Sequence, residues 1–400
     1  MNQRTYQRRY DLDWLRVLAF TLLILFHTGM MFNNWNWHVK NPETSSLLEY
    51  VMAFLNQWRM PLLFFISGAA VWFAMEKYST ARFSLERIKR LLVPLVFGMF
   101  VIIPPQVYFE RRFQGEQFSS LWEFYQTVLE LHPYPEGNFS WHHLWYLPYI
   151  LVFSFLMLPV FQFFKSDRGR QILRSGIERL SARSLYILGF VPIAISEVCL
   201  RPFWPDNAHN LVDDWAHFTS TLIIFCFGFA LASSSRIWPR IERDRRRLLI
   251  LGVVTMATIY LFRYGDFELP ALGTEIYRIV RSANIWFWIL TILGFGSRYL
   301  RRDSAFLRYS NQVVYPFYIL HQTITVAVGY YLVDWDAGIP IKFLVLATAT
   351  FLGSWLLYEF PIKRINFIRP LFGLKMLDRS SYRKTSDSLV RVAYSSQGSK

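Results

Sequence analysis

Ten apolar runs divide this chain, near residues 14–33, 50–76, 91–110, 143–164, 184–200, 217–234, 247–265, 281–299, 312–333 and 339–360. Each is about the length, roughly 20 residues, that crosses a bilayer as a helix. The polar stretches between them alternate in kind. Lys and Arg cluster before the first run, at 77–90, 165–183, 236–247 and 298–308, and from Lys363 onward, which is every second connection. The other connections, 34–49, 110–142, 201–216, 265–278 and 334–338, are acidic or aromatic. Basic residues stay on the inner face of a membrane, so the alternation predicts an even number of spans with both termini cytoplasmic. The expected fold class is all-α, a polytopic integral membrane protein of about ten transmembrane helices.

The longest outward connection carries Leu121, Phe124, Tyr125, Val128 and Leu129 at helical spacing, which predicts a helix lying at the outer interface near 119–131. HPYPEGN, 132–138, is turn chemistry before the next span. Residues 1–365 read as one transmembrane domain and 366–400 as a cytoplasmic tail, disordered from about 379, where Ser and basic residues replace apolar periodicity. The basic start (Arg4, Arg8, Arg9) leads into a run too long for a signal-peptide core, so the first span is expected to stay as an anchor.

Composition agrees with this pattern. The chain is 53% hydrophobic and only 18% charged, below the roughly 25% of a soluble protein. Its net charge of +15 sits in short clusters between apolar runs, where it sets topology rather than a nucleic-acid footprint. Cys199 and Cys226 lie in or beside different apolar runs and form no disulfide or metal pattern.

Chemistry enters through ionisable residues inside the spans. In DLDWLRVLAFTLLILFHT, 11–28, Arg16 and His27 share a helix face about 16 Å apart. Arg16 sits near the cytoplasmic surface, where it either snorkels or serves a site, and His27 lies in the outer half of the bilayer. Arg59, in NQWRMPLLFFISG, has a depth close to that of His27, beside Pro61 and the small pair Ser67 and Gly68. Arg82, Arg87, Lys89 and Arg90 precede LLVP, where a helix N-terminus would add to four cations in holding a phosphorylated ligand, or else they only set topology. His142, His143 and Trp145 stand at the outer end of the fourth run. His321 lies near mid-bilayer with Tyr318 one turn earlier, and Arg263 and Arg281 flank the outer surface.

These residues resemble the membrane-bound acyltransferase-3 family. The likeness rests on Arg16 and His27 in the first span, FFISG (Phe64 to Gly68), RIKRLLVP (Arg87 to Pro94), HHLWYL (His142 to Leu147) and YILH (Tyr318 to His321), in order over roughly 10–365. Within the family, WNWHV (Trp35 to Val39), WRMPLLFFISG (Trp58 to Gly68) and FRYG (Phe262 to Gly265) look most like the branch that succinylates osmoregulated periplasmic glucans. The resemblance implies O-acyl transfer across a bacterial inner membrane, from acyl-CoA in the cytoplasm to a hydroxyl of a periplasmic or envelope glucan. His27 is then general base or transient acyl carrier, Arg16 orients the site or contacts the donor, and Arg59 is the candidate for the free carboxylate of a succinyl group. Arg87, Lys89 and Arg90 are expected to receive the CoA phosphates. His38, His143, Trp145, Tyr318, His321 and Arg263 are expected on the acceptor side or in support of the site.

Acyl-CoA is expected as co-substrate, with no permanently bound cofactor and no metal. The partners implied are the glucan, the bilayer and envelope-glycan synthesis proteins. Many family members carry a fused periplasmic esterase-like domain, and this chain has only a short basic tail, so its acceptor is expected to meet the membrane site directly or through a relay protein. A secondary transporter of an anionic sugar or acyl compound is the alternative, although the paired inverted repeats typical of transporters are not evident. A purely structural scaffold would leave the intramembrane Arg and His unexplained.

Overall fold

The apolar runs form helices, and no strand occurs among the described residues, 8–205, 208–265 and 272–377 of the computed structural model. In chain order these are α1 (Tyr10–Met30), α2 (Ser46–Lys77), α3 (Thr80–Phe113), α4 (Leu121–Leu129), α5 (Tyr146–Leu156), α6 (Leu158–Lys165), α7 (Asp167–Arg179), α8 (Ala182–Leu200), α9 (Trp215–Ala232), α10 (Ile237–Tyr264), α11 (Gly273–Tyr299), α12 (Ala305–Leu332) and α13 (Ile339–Ile362). Among the described residues, eight helices are long and apolar enough to cross a membrane, or nine when a bent pair counts as one span. That pair is the single-turn helix His142–Trp145 with α5, followed by α6, bent by 54°. The bend falls at Met157, ahead of Pro159, whose ring excludes the carbonyl one turn earlier. The ninth predicted run, 312–333, lies in α12, 28 residues long and diluted by Asn311, Gln312, His321, Gln322, Thr323 and Thr325.

The single domain expected over 1–365 divides into two compact units. The first holds α1, α2 and α5 to α11. α10 lies along α11, α9 along α2, and α1 against both α2 and α11. The crossing of α2 and α9 is made by two glycines: a Cβ at Gly68 would lie 1.8 Å from the Phe225 carbonyl oxygen, and one at Gly228 only 1.9 Å from that of Phe65. Backbone therefore rests on backbone, the small-residue packing that replaces the hydrophobic effect between helices in lipid. Gly68→Leu is expected to cost at least about 3 kcal/mol, because neither main chain can retreat from the added atoms. Thermal unfolding in detergent tests this, and an unchanged midpoint would contradict the close approach. Beside the crossing, the Ser67 and Tyr146 hydroxyls meet at 2.6 Å, and Tyr146 also donates to the Leu63 carbonyl at 3.0 Å.

The second unit holds the segment Trp37–Pro42, α3 from Glu86, α4, α12 from Gln312, and α13. α3 carries Pro94, Pro104 and Pro105 yet does not break, because wide π-turns at Ile88–Leu92 and Gly98–Ile102 precede the prolines. Carbonyls along this stretch take side-chain donors. Arg90, four residues before Pro94, accepts the Tyr315 hydroxyl at 2.7 Å. Phe100, four before Pro104, accepts Tyr125 at 2.6 Å, and Ile102 accepts Thr323 at 2.7 Å. Each pinned carbonyl fixes a neighbouring element against α3.

Tyr125 belongs to the predicted outer helix, which forms as α4. Ser120 caps it by accepting the Glu123 N–H, and Glu123 reaches back to Ser119. Phe124 and Val128 are buried while Leu121, Trp122 and Leu129 remain exposed.

Beyond 365, residues 366–377 fold back. Asn366 exchanges two hydrogen bonds with Leu377, and the Phe372 ring is buried 5.3 Å from Phe97 of α3. The tail predicted to be disordered from about 379 lies outside the described residues.

Candidate active site

The sequence of α3 spaces Gln106 and Glu110 by one helical turn, and that of α12 does the same for Tyr318, His321, Gln322 and Thr325. All but Thr325 join one polar cluster in the second unit. His38 enters it from the segment Trp37–Pro42, which is anchored where buried Lys342 donates to the Asn41 side chain at 2.8 Å and to the Val333 carbonyl at 2.9 Å. His38 Nδ1 lies 2.9 Å from a Glu110 carboxylate oxygen, and the other Glu110 oxygen accepts the Tyr134 hydroxyl at 2.8 Å. On the far side of the ring, Nε2 faces the amide nitrogens of Gln106 at 3.1 Å and Gln322 at 3.0 Å. With both amides donating, Nε2 is the acceptor and the ring proton sits on Nδ1, facing the carboxylate.

Three more histidines close the cluster. His142 begins the turn before α5 in the left-handed backbone region, φ 35°, and its ring stands edge-on to His38 and Tyr134. Next to it, His143 donates from Nε2 to the Ile319 carbonyl at 3.0 Å and receives the Tyr318 hydroxyl on its own carbonyl at 2.7 Å. His321, wholly buried, contacts the edge of the His143 ring and holds its Nδ1 2.7 Å from the Tyr318 carbonyl. His143 Nδ1 and His142 Nε2 are buried without a protein partner, two polar positions left for a ligand or water. Burial and the Glu110 carboxylate beside it both push the Tyr134 phenol upward, so it acts as a hydrogen-bond donor throughout the ordinary pH range.

The first unit places His27 and Arg59 in one neighbourhood. α1 is unbroken from Arg16 to His27, as the spacing predicts. The Arg59 guanidinium lies flat on the ring of Phe26, the residue before His27, at 3.7 Å. Phe26 in turn contacts Trp35, which lies under Arg263, and Arg263 is 3.9 Å from Glu49. Arg59 is 3% exposed, and its Nε and Nη1 have no partner in the protein. A buried cation held only by a ring face keeps part of its desolvation cost uncompensated, so it presents a standing attraction for an anion. At the other end of the same helix, Arg16 bonds the Asn311 side chain at 2.5 Å and lies 3.5 Å from Asp13.

Trp145, at the start of α5, has His209 and His217 against its ring. Burial and nearby Arg201 push the His209 imidazole down to about 4. Arg201 itself ties Glu197 at 3.2 Å to Asp214 at 3.0 Å.

The helix terminus expected at the donor cluster lies elsewhere. Arg87, Lys89 and Arg90 were expected at a helix N-terminus, but α3 begins at Thr80 and the three lie within it, so helix-end amides and the macrodipole do not add to their charge. Lys89 and Arg90 are exposed, and Arg90 pairs with Glu86 at 3.3 Å.

Sequence reasoning gathered His38, His143, Tyr318 and His321 but missed Glu110, Gln106, Gln322 and Tyr134. The available signal was the i, i+4 spacing of Gln106 and Glu110. It was hidden because Glu110 marked the end of an apolar run, whereas α3 continues to Phe113.

Comparison with known proteins places the chain in a family. The family model described as an acyltransferase domain matches residues 9–359, through both units. Glucans biosynthesis protein C of Escherichia coli (strain K12) is 23% identical over 395 residues, 94% of this chain and 97% of that protein. The protein of the same name from Salmonella paratyphi A is 24% identical over 385 residues, 92% of this chain and 95% of its own. No solved structure matches. With a family match over most of its length and long apolar helices throughout, this chain is a multi-pass membrane acyltransferase belonging to the acyltransferase-3 family.

Proposed function

We propose that the protein moves an acyl group, acetyl or succinyl, from acyl-CoA on the cytoplasmic side of a bacterial inner membrane to a hydroxyl of a periplasmic or envelope glucan. The observation that carries this reading is the buried, partly unpartnered Arg59 beside the ring that precedes His27. His27 takes the proton of the sugar hydroxyl as the oxygen attacks the thioester carbonyl. The carbon–sulfur bond then breaks, and the thiolate leaves with a proton as free CoA. A thioester is already activated, so the protein has mainly to remove that proton and hold the developing oxyanion with N–H donors. An acyl-histidine formed first on His27 is the other route to the same products. Names of relatives that refer to glucans support the carbohydrate acceptor, and envelope-glycan synthesis proteins are the partners this reading implies.

A second base is favoured by one specific feature, the Glu110 carboxylate 2.9 Å from His38, since a histidine whose tautomer is fixed by a carboxylate is a general-base arrangement.

The test is purified protein in nanodiscs, supplied with acetyl-CoA or succinyl-CoA and a glucan and scored for free thiol and sugar ester. Movement of substrate across sealed vesicles without thiol release would favour transport instead. In the same assay Arg59→Gln is expected to lower kcat/KM for succinyl-CoA by about 100-fold, the loss of charge-assisted bonds to the acyl carboxylate, with acetyl-CoA little changed. Equal losses for both donors would make Arg59 structural.

A further inference from the structure

Three arginines of the first unit meet around a cleft that the chemistry above does not use. The cleft, about 500 Å³, is walled by Arg9, Arg174 and Arg301, by Glu178 and Glu242, and by Trp238. A second, narrower cavity of about 240 Å³ shares Arg9 and Phe73 with the first. It runs past Leu12, Ile66 and Ala70 to Arg16, the inner end of the helix that carries His27. The two adjoin at Arg9 and Phe73, an arginine-rich mouth beside a smaller passage whose wall mixes Arg8, Asp13 and Arg16 with apolar side chains.

The mouth is built to stay cationic. Arg9 is laid on the Trp238 ring at 3.7 Å and held by Asp11. Arg174 is aimed by its bond to the Ser233 carbonyl at 2.9 Å. Arg301 is paired with Glu242, which also faces Arg298 at 3.7 Å. Glu178, the other acid of the wall, lies 3.0 Å from Arg236, so each glutamate is already met by an arginine and an incoming anion finds guanidinium forks already oriented. Arg87, Lys89 and Arg90 offer no comparable enclosure, as exposed or half-exposed side chains of α3.

We propose that this cleft binds the phosphate-bearing end of the acyl donor, with the adjoining passage taking its slender thioester arm toward Arg16. The inference rests on the acyl-CoA reading above and gives it an address. Phosphate esters reach such a cleft from two sources, a soluble nucleotide thioester or an anionic lipid headgroup, and the experiment must separate them.

The full chain is placed in nanodiscs of phosphatidylcholine alone and of phosphatidylcholine with phosphatidylglycerol. CoA binding is measured by calorimetry and acyl-CoA turnover by thiol release. For Arg174→Gln with Arg301→Gln, the expected result is a KM for acyl-CoA raised 10-fold or more, kcat within twofold, and CoA affinity weakened equally in both lipids. Ala70→Trp leaves the arginines in place and fills the passage; it is expected to lower kcat/KM at least 10-fold in a protein that elutes like the wild type. Retained KM in both variants would overturn the proposal, as would a KM rise confined to Arg87→Ala with Arg90→Ala. Loss of phosphatidylglycerol retention without a change in KM would make the cleft a lipid site and also overturn it. Failure of the wild type to bind CoA or to use any acyl-CoA would instead refute the proposed donor itself.

Discussion

Replacing His27 by alanine is expected to remove acyl transfer, a fall in turnover of about 10³-fold or more, toward the upper end of what a positioned general base contributes. Protein yield and elution should stay as in the wild type. His27 lies in the last turn of α1, and its neighbours Phe26, Thr28 and Gly29 hold that turn in place by burial. Alanine is also the better helix former and costs less in lipid than an imidazole. Ester formed on the glucan, normalised to folded protein, gives the readout. Full activity would withdraw the assignment. A stable acyl adduct on His27 in the wild type, trapped at low acceptor concentration, would choose the acyl-carrier route over direct transfer.

The spans were legible because lipid imposes one rule on every residue: a stretch of about 20 apolar side chains with its backbone bonds satisfied internally is a helix. The helix near 119–131 was legible because Leu121, Phe124, Tyr125, Val128 and Leu129 recur at helical spacing. What the sequence concealed lies in α3. The basic cluster at 77–90 and Glu110 bounded the apolar run, so the span was expected over 91–110, with Pro94, Pro104 and Pro105 inside it. Whether a proline breaks a helix or merely widens a turn depends on what satisfies the carbonyl behind it, and those donors, Tyr315 and Tyr125, are remote in the chain. With α3 longer at both ends, Arg87 to Arg90 lost their helix terminus and Glu110 joined the cluster around His38. The partners of Arg59 were hidden similarly. Its depth beside His27 was readable, but its stacking on Phe26 depends on how α1 and α2 face each other.

The same cluster yields the second large effect. Glu110→Gln is expected to reduce turnover by about 10²-fold or more with KM for acyl-CoA within twofold, through His38 rather than through contact with substrate. The carboxylate can only accept, so it keeps the proton on Nδ1 and leaves Nε2 facing the Gln106 and Gln322 amides. A glutamine at 110 can donate. Once it does, the ring proton moves to Nε2, where it opposes two N–H donors, and the basic nitrogen points away from the position it held. Glu110→Asp retains the charge on a shorter arm and should restore part of the rate. A structural role gives a different outcome: breaking a buried pair costs about 3–5 kcal/mol, so thermal stability would fall while turnover per folded molecule stayed the same, for Asp as for Gln. Set beside His27→Ala, the comparison assigns the proton. Loss in both variants makes both histidines necessary to transfer, whereas loss only at His27 leaves the Glu110 cluster to hold α3 and α12 in register.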